Sequence, residues 1–313
     1  MSLLQTAEQI KTMQIRGAGK IAREAAAALR DHAENLPEHG LSVFFSAMED
    51  AADILLATRP TAVSLPNAVH QVLRGLSSAK TEEEARTLVK NQADAFITSS
   101  NEAVRKIAEI CAARIKDGMT IMTHCNSKAA LAGILLAKEQ GKTISVIATE
   151  VRPWNQGRLT IQTLNDHEIP TTYIVDSAVR TFMKEADLVI VGADAVTVKG
   201  AVVNKIGTSQ IALAAHEARK NVLVAAETYK FAPQTILGKH IEIEERPASE
   251  VLPDDAAEKL PFVTVRNPVF DVTPARYIDL IVTEAGAVPP EAAYTIMQNH
   301  LGFDMKDYFP EKS

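Results

Sequence analysis

Two stretches of this sequence combine an apolar run with the residue types that move protons and hold anions. The first begins at Leu188-Val189-Ile190-Val191, continues through Gly192-Ala193-Asp194 and closes on Asn204-Lys205-Ile206-Gly207-Thr208. Four consecutive apolar residues bounded by a glycine read as a strand buried on both faces, so Asp194 falls at its C-terminal edge. In open α/β sheets that edge is where ligands bind, and Asn204, Lys205 and Thr208 add an amide, a cation and a hydroxyl just before a helical pattern near Ser209. Such a set fits an anionic ligand. The same residues also suit a plain turn capped by Asp194 with a solvated Lys205.

The second stretch, Thr120-Ile121-Met122-Thr123-His124-Cys125-Asn126-Ser127-Lys128-Ala129, repeats the plan of a strand that ends in polar residues and enters a helix. A thiol at a helix N-terminus with a lysine nearby is expected to ionise below the free value of about 8.5, which would make Cys125 a thiolate base or nucleophile. Cys111, set among Ile107, Ile110 and Ile115, reads as packing. His124 is expected to hydrogen-bond, not to bind metal.

Met13-Gln14-Ile15-Arg16-Gly17-Ala18-Gly19-Lys20-Ile21-Ala22 contains a Gly-x-Gly-x-x-Ala string. Its flanks are helical, whereas a dinucleotide fingerprint needs a preceding strand, so NAD binding is excluded. What is left is a glycine turn opening a helix, with free amides beside Arg16 and Lys20: either a phosphate cradle or a simple helix break. Polar clusters at Glu150 to Gly157 and Glu227 to Phe231 again follow apolar runs. Several strand ends finishing in charged or amide groups imply one convergent cleft.

The elements that must carry these groups change character once. Up to Asp117 the pattern is helical, with helices expected over residues 3 to 14, 18 to 34, 41 to 58, 65 to 76 and 81 to 116, Pro60 and Pro66 separating the third from the fourth, and Thr81 with Glu84 forming a capping box. From Thr120 onward, strands are expected at 120 to 123, 144 to 148, 172 to 175, 188 to 191, 222 to 226 and 280 to 283, with helices between most of them. The fold class is α/β: a helical bundle over residues 1 to 117, then a doubly wound, mainly parallel Rossmann-like domain over 118 to 313. Residues 241 to 274, rich in Glu and Pro, read as loop with room for one short extra strand.

Bulk properties narrow the function. A net charge of -6 argues against nucleic-acid binding, although a local basic cleft fits inside an acidic average. No apolar run approaches the roughly 20 residues of a membrane span and the N-terminus lacks a signal-peptide pattern, so a cytoplasmic location away from membranes is expected. Two cysteines build neither a disulfide framework nor a thiolate metal cage. HExxH, paired CxxC, P-loop and GxSxG patterns are missing from the sequence, and no cofactor is expected.

Taken together, Arg16-Gly17-Ala18-Gly19, Thr123-His124-Cys125-Asn126-Ser127, Arg152-Pro153 with Gln156-Gly157, Gly192-Ala193-Asp194-Ala195, Asn204 to Thr208 and Asn267-Pro268 with Phe270 to Pro274 resemble one family over nearly the whole chain. It unites the translation initiation factor 2B regulatory subunits with sugar 1-phosphate isomerases. The branch acting on ribose 1,5-bisphosphate is the most similar. The resemblance implies Cys125 and Asp194 as catalytic pair, substrate contacts at Arg16, Gly17, Ala18, Gly19, Arg59, Ser127, Lys128, Ala129, Asn204, Lys205 and Lys230, no metal, and a homo-oligomer, dimer or hexamer. Val151, Trp154 and Lys199 depart from the family pattern. A non-catalytic regulatory subunit and a methylthioribose-1-phosphate isomerase are the alternatives.

An aldose whose anomeric oxygen carries phosphate cannot open to a free aldehyde. Its conversion to a ketose therefore needs a base at C2 and an acid at the ring oxygen, roles that suit a Cys125 thiolate and a protonated Asp194. Two phosphates need two separate cationic cradles, Arg16 with the glycine amides at one end and Lys205 or Lys230 at the other.

Overall fold

Capping chemistry sets where the N-terminal helices begin. In the computed structural model, which describes residues 2–59 and 62–303, Ser2 and Gln5 form a reciprocal box at the start of α1 (Leu3–Lys11). Gly17, at φ 85°, turns the chain into α2 (Ala18–Asn35); α3 (Leu41–Leu56) and α4 (Ser64–Leu73) follow. Pro60 lies outside the described residues. Thr81 caps α5 (Glu82–Arg114) by accepting from the Glu84 amide, but the Glu84 carboxylate takes the Lys80 amide instead of closing the box on Thr81. Ile10, Leu29, Met48, Leu55, Leu65 and Val89 form the centre of this helical core.

The 33 residues of α5 join two cores. Ala85, Val89, Ala93 and Phe96 pack among the helices, while Ile107, Cys111, Ala112 and Ile115 pack under the sheet. Cys111 is a packing residue, and Gly133 on the next helix lets the two backbones approach, since a Cβ there would lie 2.4 Å from the Cys111 Cβ.

Beyond α5 the expected strands form within a residue or so of their positions: β1 (Thr120–Thr123), β2 (Ser145–Thr149), β3 (Thr171–Ile174), β4 (Leu188–Gly192). The hairpin β5 (Ala195–Val196) and β6 (Val202–Lys205) leads to β7 (Asn221–Ala225), β8 (Phe270–Thr273), β9 (Leu280–Thr283) and β10 (Gly286–Val288). Helices α6 (Lys128–Glu139), α7 (Gly157–Asp166), the short α8 (Val179–Phe182) and α9 (Thr208–Glu217) lie between strands. The main sheet runs β10-β9-β7-β4-β1-β2-β3, parallel except for β10 at its edge. Side chains alternate between its faces, Met122, Val189 and Val224 to one side and Ile121, Ile190 and Leu223 to the other, so both faces are covered.

Strand order reverses at β1, which lies between β4 and β2. Two parallel strands diverge there in their connections, leaving a crevice at their C-terminal ends. A second, three-stranded antiparallel sheet, β5-β6-β8, stands over that crevice. Its strands are too short for their alternation to register in the sequence; β8 is the extra strand expected within residues 241 to 274.

Candidate active site

Cys125 leaves the sheet directly after β1 and Asp194 directly after β4, on adjacent strands at the switch point. Cys125 takes a left-handed backbone conformation, φ 63°, which turns its thiol out of line with the strand. Its neighbour His124 is 1% exposed and fastens the turn: Nδ1 meets the Thr149 hydroxyl at 2.5 Å and Nε2 meets the Ile206 carbonyl at 2.8 Å. A carbonyl only accepts, so Nε2 carries the proton and Nδ1 accepts from Thr149. Burial pushes the imidazole pKa down and keeps it neutral. Gly207, at φ 103°, gives the ring its place, since a Cβ there would come within 3.0 Å of it.

Asp194 is held from the other side. Its amide donates to the Val203 carbonyl, which registers it against the β5–β6 hairpin beside Asn204 and Lys205. Asn204 is 6% exposed and donates to the Thr208 hydroxyl, which in turn donates to the Lys205 carbonyl. The Asp271 carboxylate on β8 accepts from the Gly207 and Ser209 amides, capping α9 and fixing the Lys205 loop.

These groups open onto a cavity of about 570 Å³ between the helical core and the strand ends. All the residues expected in the site line it: Arg16, Gly17, Ala18, Gly19, Arg59, Cys125, Ser127, Lys128, Ala129, Asp194, Asn204, Lys205 and Lys230. Nine Lys or Arg side chains against five Asp or Glu make the lining cationic inside a chain of net charge -6, which suits an anionic ligand. Arg16, Lys20 and Arg23 come from the start of α2, where Gly17 has open space beside it, while Lys205 and Lys230 lie by Asp194.

Three pairings in the lining were not foreseen from the sequence. Arg246 stacks on the Trp154 ring at 3.8 Å while Arg16 approaches it at 5.9 Å, so one indole contacts two guanidinium groups. Arg59 is already engaged, in an ion pair with Glu244 at 2.8 Å. Lys230 is 7% exposed and pairs at 2.7 Å with Glu227, itself 4% exposed. The Arg246–Trp154 and Arg59–Glu244 contacts join positions far apart in the sequence and leave no local spacing, whereas Glu227 and Lys230 are three residues apart and only their burial is hidden.

The protonation states differ from expectation at one of the two central residues. Burial pushes the Cys125 thiol up to about 11, against the opposing pull of Lys205, so its resting form is the thiol and not the expected thiolate. Lys128, the cation expected to lower it, is exposed and is not among the charges acting on the thiol, and dehydration of the thiol outweighs the helix terminus. Asp194 keeps a little surface toward the cavity, yet burial raises its pKa against Lys230, Lys205 and Arg59. Among the described residues no cluster of three or more His, Cys, Asp or Glu side chains could hold a metal ion, and no helix is long and apolar enough to cross a membrane.

Residues 14–290 match the model of the initiation factor 2 subunit family. The chain is 52% identical over 299 residues to the ribose 1,5-bisphosphate isomerase of Methanocaldococcus jannaschii, covering 96% of this chain and 95% of that one. It is 39% identical over 301 residues to the methylthioribose-1-phosphate isomerase of Acetivibrio thermocellus, covering 92% and 88%. The crystal structure of translation initiation factor eIF-2B from Pyrococcus horikoshii OT3 superposes with a TM-score of 0.79 at 34% identity, covering 92% of this chain and 97% of that one.

Proposed function

The chain belongs to the initiation factor 2 subunit family, and from that premise we propose that it is an isomerase converting α-D-ribose 1,5-bisphosphate to D-ribulose 1,5-bisphosphate. The observation that carries this reading is the pairing of Cys125 and Asp194 at the switch point, inside a cavity lined by nine Lys or Arg side chains. A relative at 52% identity that bears this activity as its name supports it.

The steps balance with these two side chains alone. Cys125, as thiolate, takes the proton from C2 while Asp194 gives its proton to the ring oxygen; the C1–O bond of the ring breaks and a cis-enol phosphate forms. The thiol then returns its proton to C1, and the Asp194 carboxylate takes the proton of the C2 hydroxyl as that carbon becomes the ketone. Both groups end as they began. A raised Asp194 pKa increases the fraction of molecules in which the acid carries its proton. A thiol near 11 makes the thiolate scarce but strongly basic, so the working form is a minority arrangement in which the pair shares one proton.

In this reading one phosphate rests against Arg16 and the amides of the α2 turn, with Arg246 and Arg59 flanking it, and the other against Lys205 and Lys230. Asn204 and the Ser127 to Ala129 turn hold the sugar between them. A methylthioribose substrate carries an apolar group where this cavity sets Arg16, Lys20 and Arg23, which favours the bisphosphate. A purely regulatory subunit would not need the Cys125 and Asp194 pair. We take the protein to be a cytoplasmic homo-oligomer, dimer or hexamer, which sedimentation of the purified chain would test.

Phosphorus NMR of the purified protein with ribose 1,5-bisphosphate tests the activity. Conversion to ribulose 1,5-bisphosphate is expected, with methylthioribose 1-phosphate turned over far more slowly; the reverse preference would overturn the assignment.

A further inference from the structure

Glu227 follows β7 at the same edge of the sheet as Asp194 follows β4, and the two strands are neighbours. Its two oxygens have different partners. Oε1 ends a chain of donors that all point toward it: Arg23 to the Ser100 hydroxyl at 3.2 Å, Ser100 to the Tyr229 hydroxyl at 3.1 Å, and Tyr229 to Glu227 at 3.1 Å. Oε2 meets the Lys230 ammonium at 2.7 Å and makes no hydrogen bond beyond that ion pair. The Tyr229 hydroxyl also fills the space beside Gly19, where a Cβ would come within 2.7 Å of it. One carboxylate thus ties the α2 turn to the lysine beside the acid.

A buried ion pair contributes little net stability, because dehydrating both charges offsets their attraction. What this pair does is fix a cation. Lysine has three donors; one is taken by Glu227 and two are left for the cavity. Lys230 is also the strongest of the charges acting on Asp194, ahead of Lys205 and Arg59, with Glu227 acting in the opposite sense.

We propose that Glu227 is a positioning residue of this site: its ion pair holds the Lys230 ammonium toward a substrate phosphate and withholds its charge from Asp194. With Glu227 in place, Asp194 does not acquire Lys230 as a full counter-ion and keeps a larger protonated fraction. Burial disfavours a charged Glu227, but Lys230 and the Tyr229 hydroxyl hold its pKa below the usual carboxylate range, so it remains an anion over the working pH. The groups that face Asp194 are then Lys230, Lys205, Arg59 and Glu227, with the Cys125 thiol across the cleft.

This role rests on the proposed isomerase reading, and it is tested by a readout that needs no substrate. The carboxyl C=O band of Asp194, identified in infrared difference spectra by its loss in Asp194→Asn, reports its protonation directly. In Glu227→Gln the midpoint of that band should fall by about one pH unit or more, the usual effect of an unopposed neighbouring cation. The rising acid limb of kcat/KM should move down with it, and kcat at neutral pH should drop about tenfold or more. Tyr229→Phe keeps the ion pair and should leave the midpoint in place. Should Glu227→Gln fail to fold, the double variant Glu227→Gln with Lys230→Met removes both charges and should leave the midpoint at or above that of the unmodified protein, since Lys230 outweighs Glu227. A midpoint unmoved in folded Glu227→Gln, moved equally by Tyr229→Phe, or displaced downward in the double variant would overturn the proposal. If the unmodified protein did not turn over ribose 1,5-bisphosphate, the isomerase reading would fail while the infrared titration still decided the role of Glu227.

Discussion

Gly192, the last residue of β4, lies against Ser127, the N-cap of α6, so closely that a Cβ on the glycine would come within 2.4 Å of the serine hydroxyl oxygen. This contact joins the two turns that carry Asp194 and Cys125. Gly192→Ala must push β4 and the α6 cap apart, and a displacement on the order of 1 Å at reacting groups costs about a hundredfold in rate. A loss of kcat/KM of about that size is expected in a protein that still folds, with partial recovery when Ser127→Gly is added. Full activity in Gly192→Ala would mean that the two turns are not held in register by this contact.

The protonation states fix the shape of the pH profile. The reactive arrangement needs a proton on Asp194 and none on Cys125. Below the raised Asp194 pKa both groups are protonated, so kcat/KM should fall as pH falls; above about 11 both are ionised, so it should fall as pH rises. Between these limits the reactive fraction is constant and the profile should be flat. Initial rates across this range check it. A profile with no fall on its acid side, or one that keeps rising past about pH 11, would contradict this assignment of acid and base.

Arg16 is exposed and makes its recorded contact with the Trp154 ring at 5.9 Å, so its guanidinium adds little to stability. As a phosphate ligand it is worth about 1.5–3 kcal/mol. Arg16→Ala should therefore raise KM by roughly tenfold to a hundredfold with the melting temperature nearly unchanged. Kinetics with thermal melts separate the two, and an unchanged KM would reduce the glycine turn to a helix break.

Most of the architecture was legible because its signals are local. The runs at Ile121-Met122 and Leu188 to Val191 could only be buried strands, and the polar residues after them marked the ligand edge before any sheet order was known. The β5–β6 hairpin was not legible: two residues cannot show alternation, and its pairing with β8 spans more than sixty positions. The thiol of Cys125 was misread for a related reason. A helix N-terminus can be seen in the sequence, but the dehydration that outweighs it comes from packing by distant elements. Glu227 was marked only as part of a polar cluster and Arg246 not at all, because the buried pair with Lys230 and the stack on Trp154 acquire meaning only in the folded cavity.

The roles of Cys125 as base and Asp194 as acid are tested most directly by measuring kcat and ribose 1,5-bisphosphate affinity together for Cys125→Ser and Asp194→Asn. Serine is a weaker acid than the thiol by several pKa units and cannot supply the base, and asparagine keeps the carboxyl shape without its transferable proton. Each variant should lose at least about a hundredfold in kcat, the usual scale for a general acid or base, while calorimetric affinity stays within a few-fold. Near-full turnover in either variant, or loss of binding in step with turnover in both, would contradict the assignment.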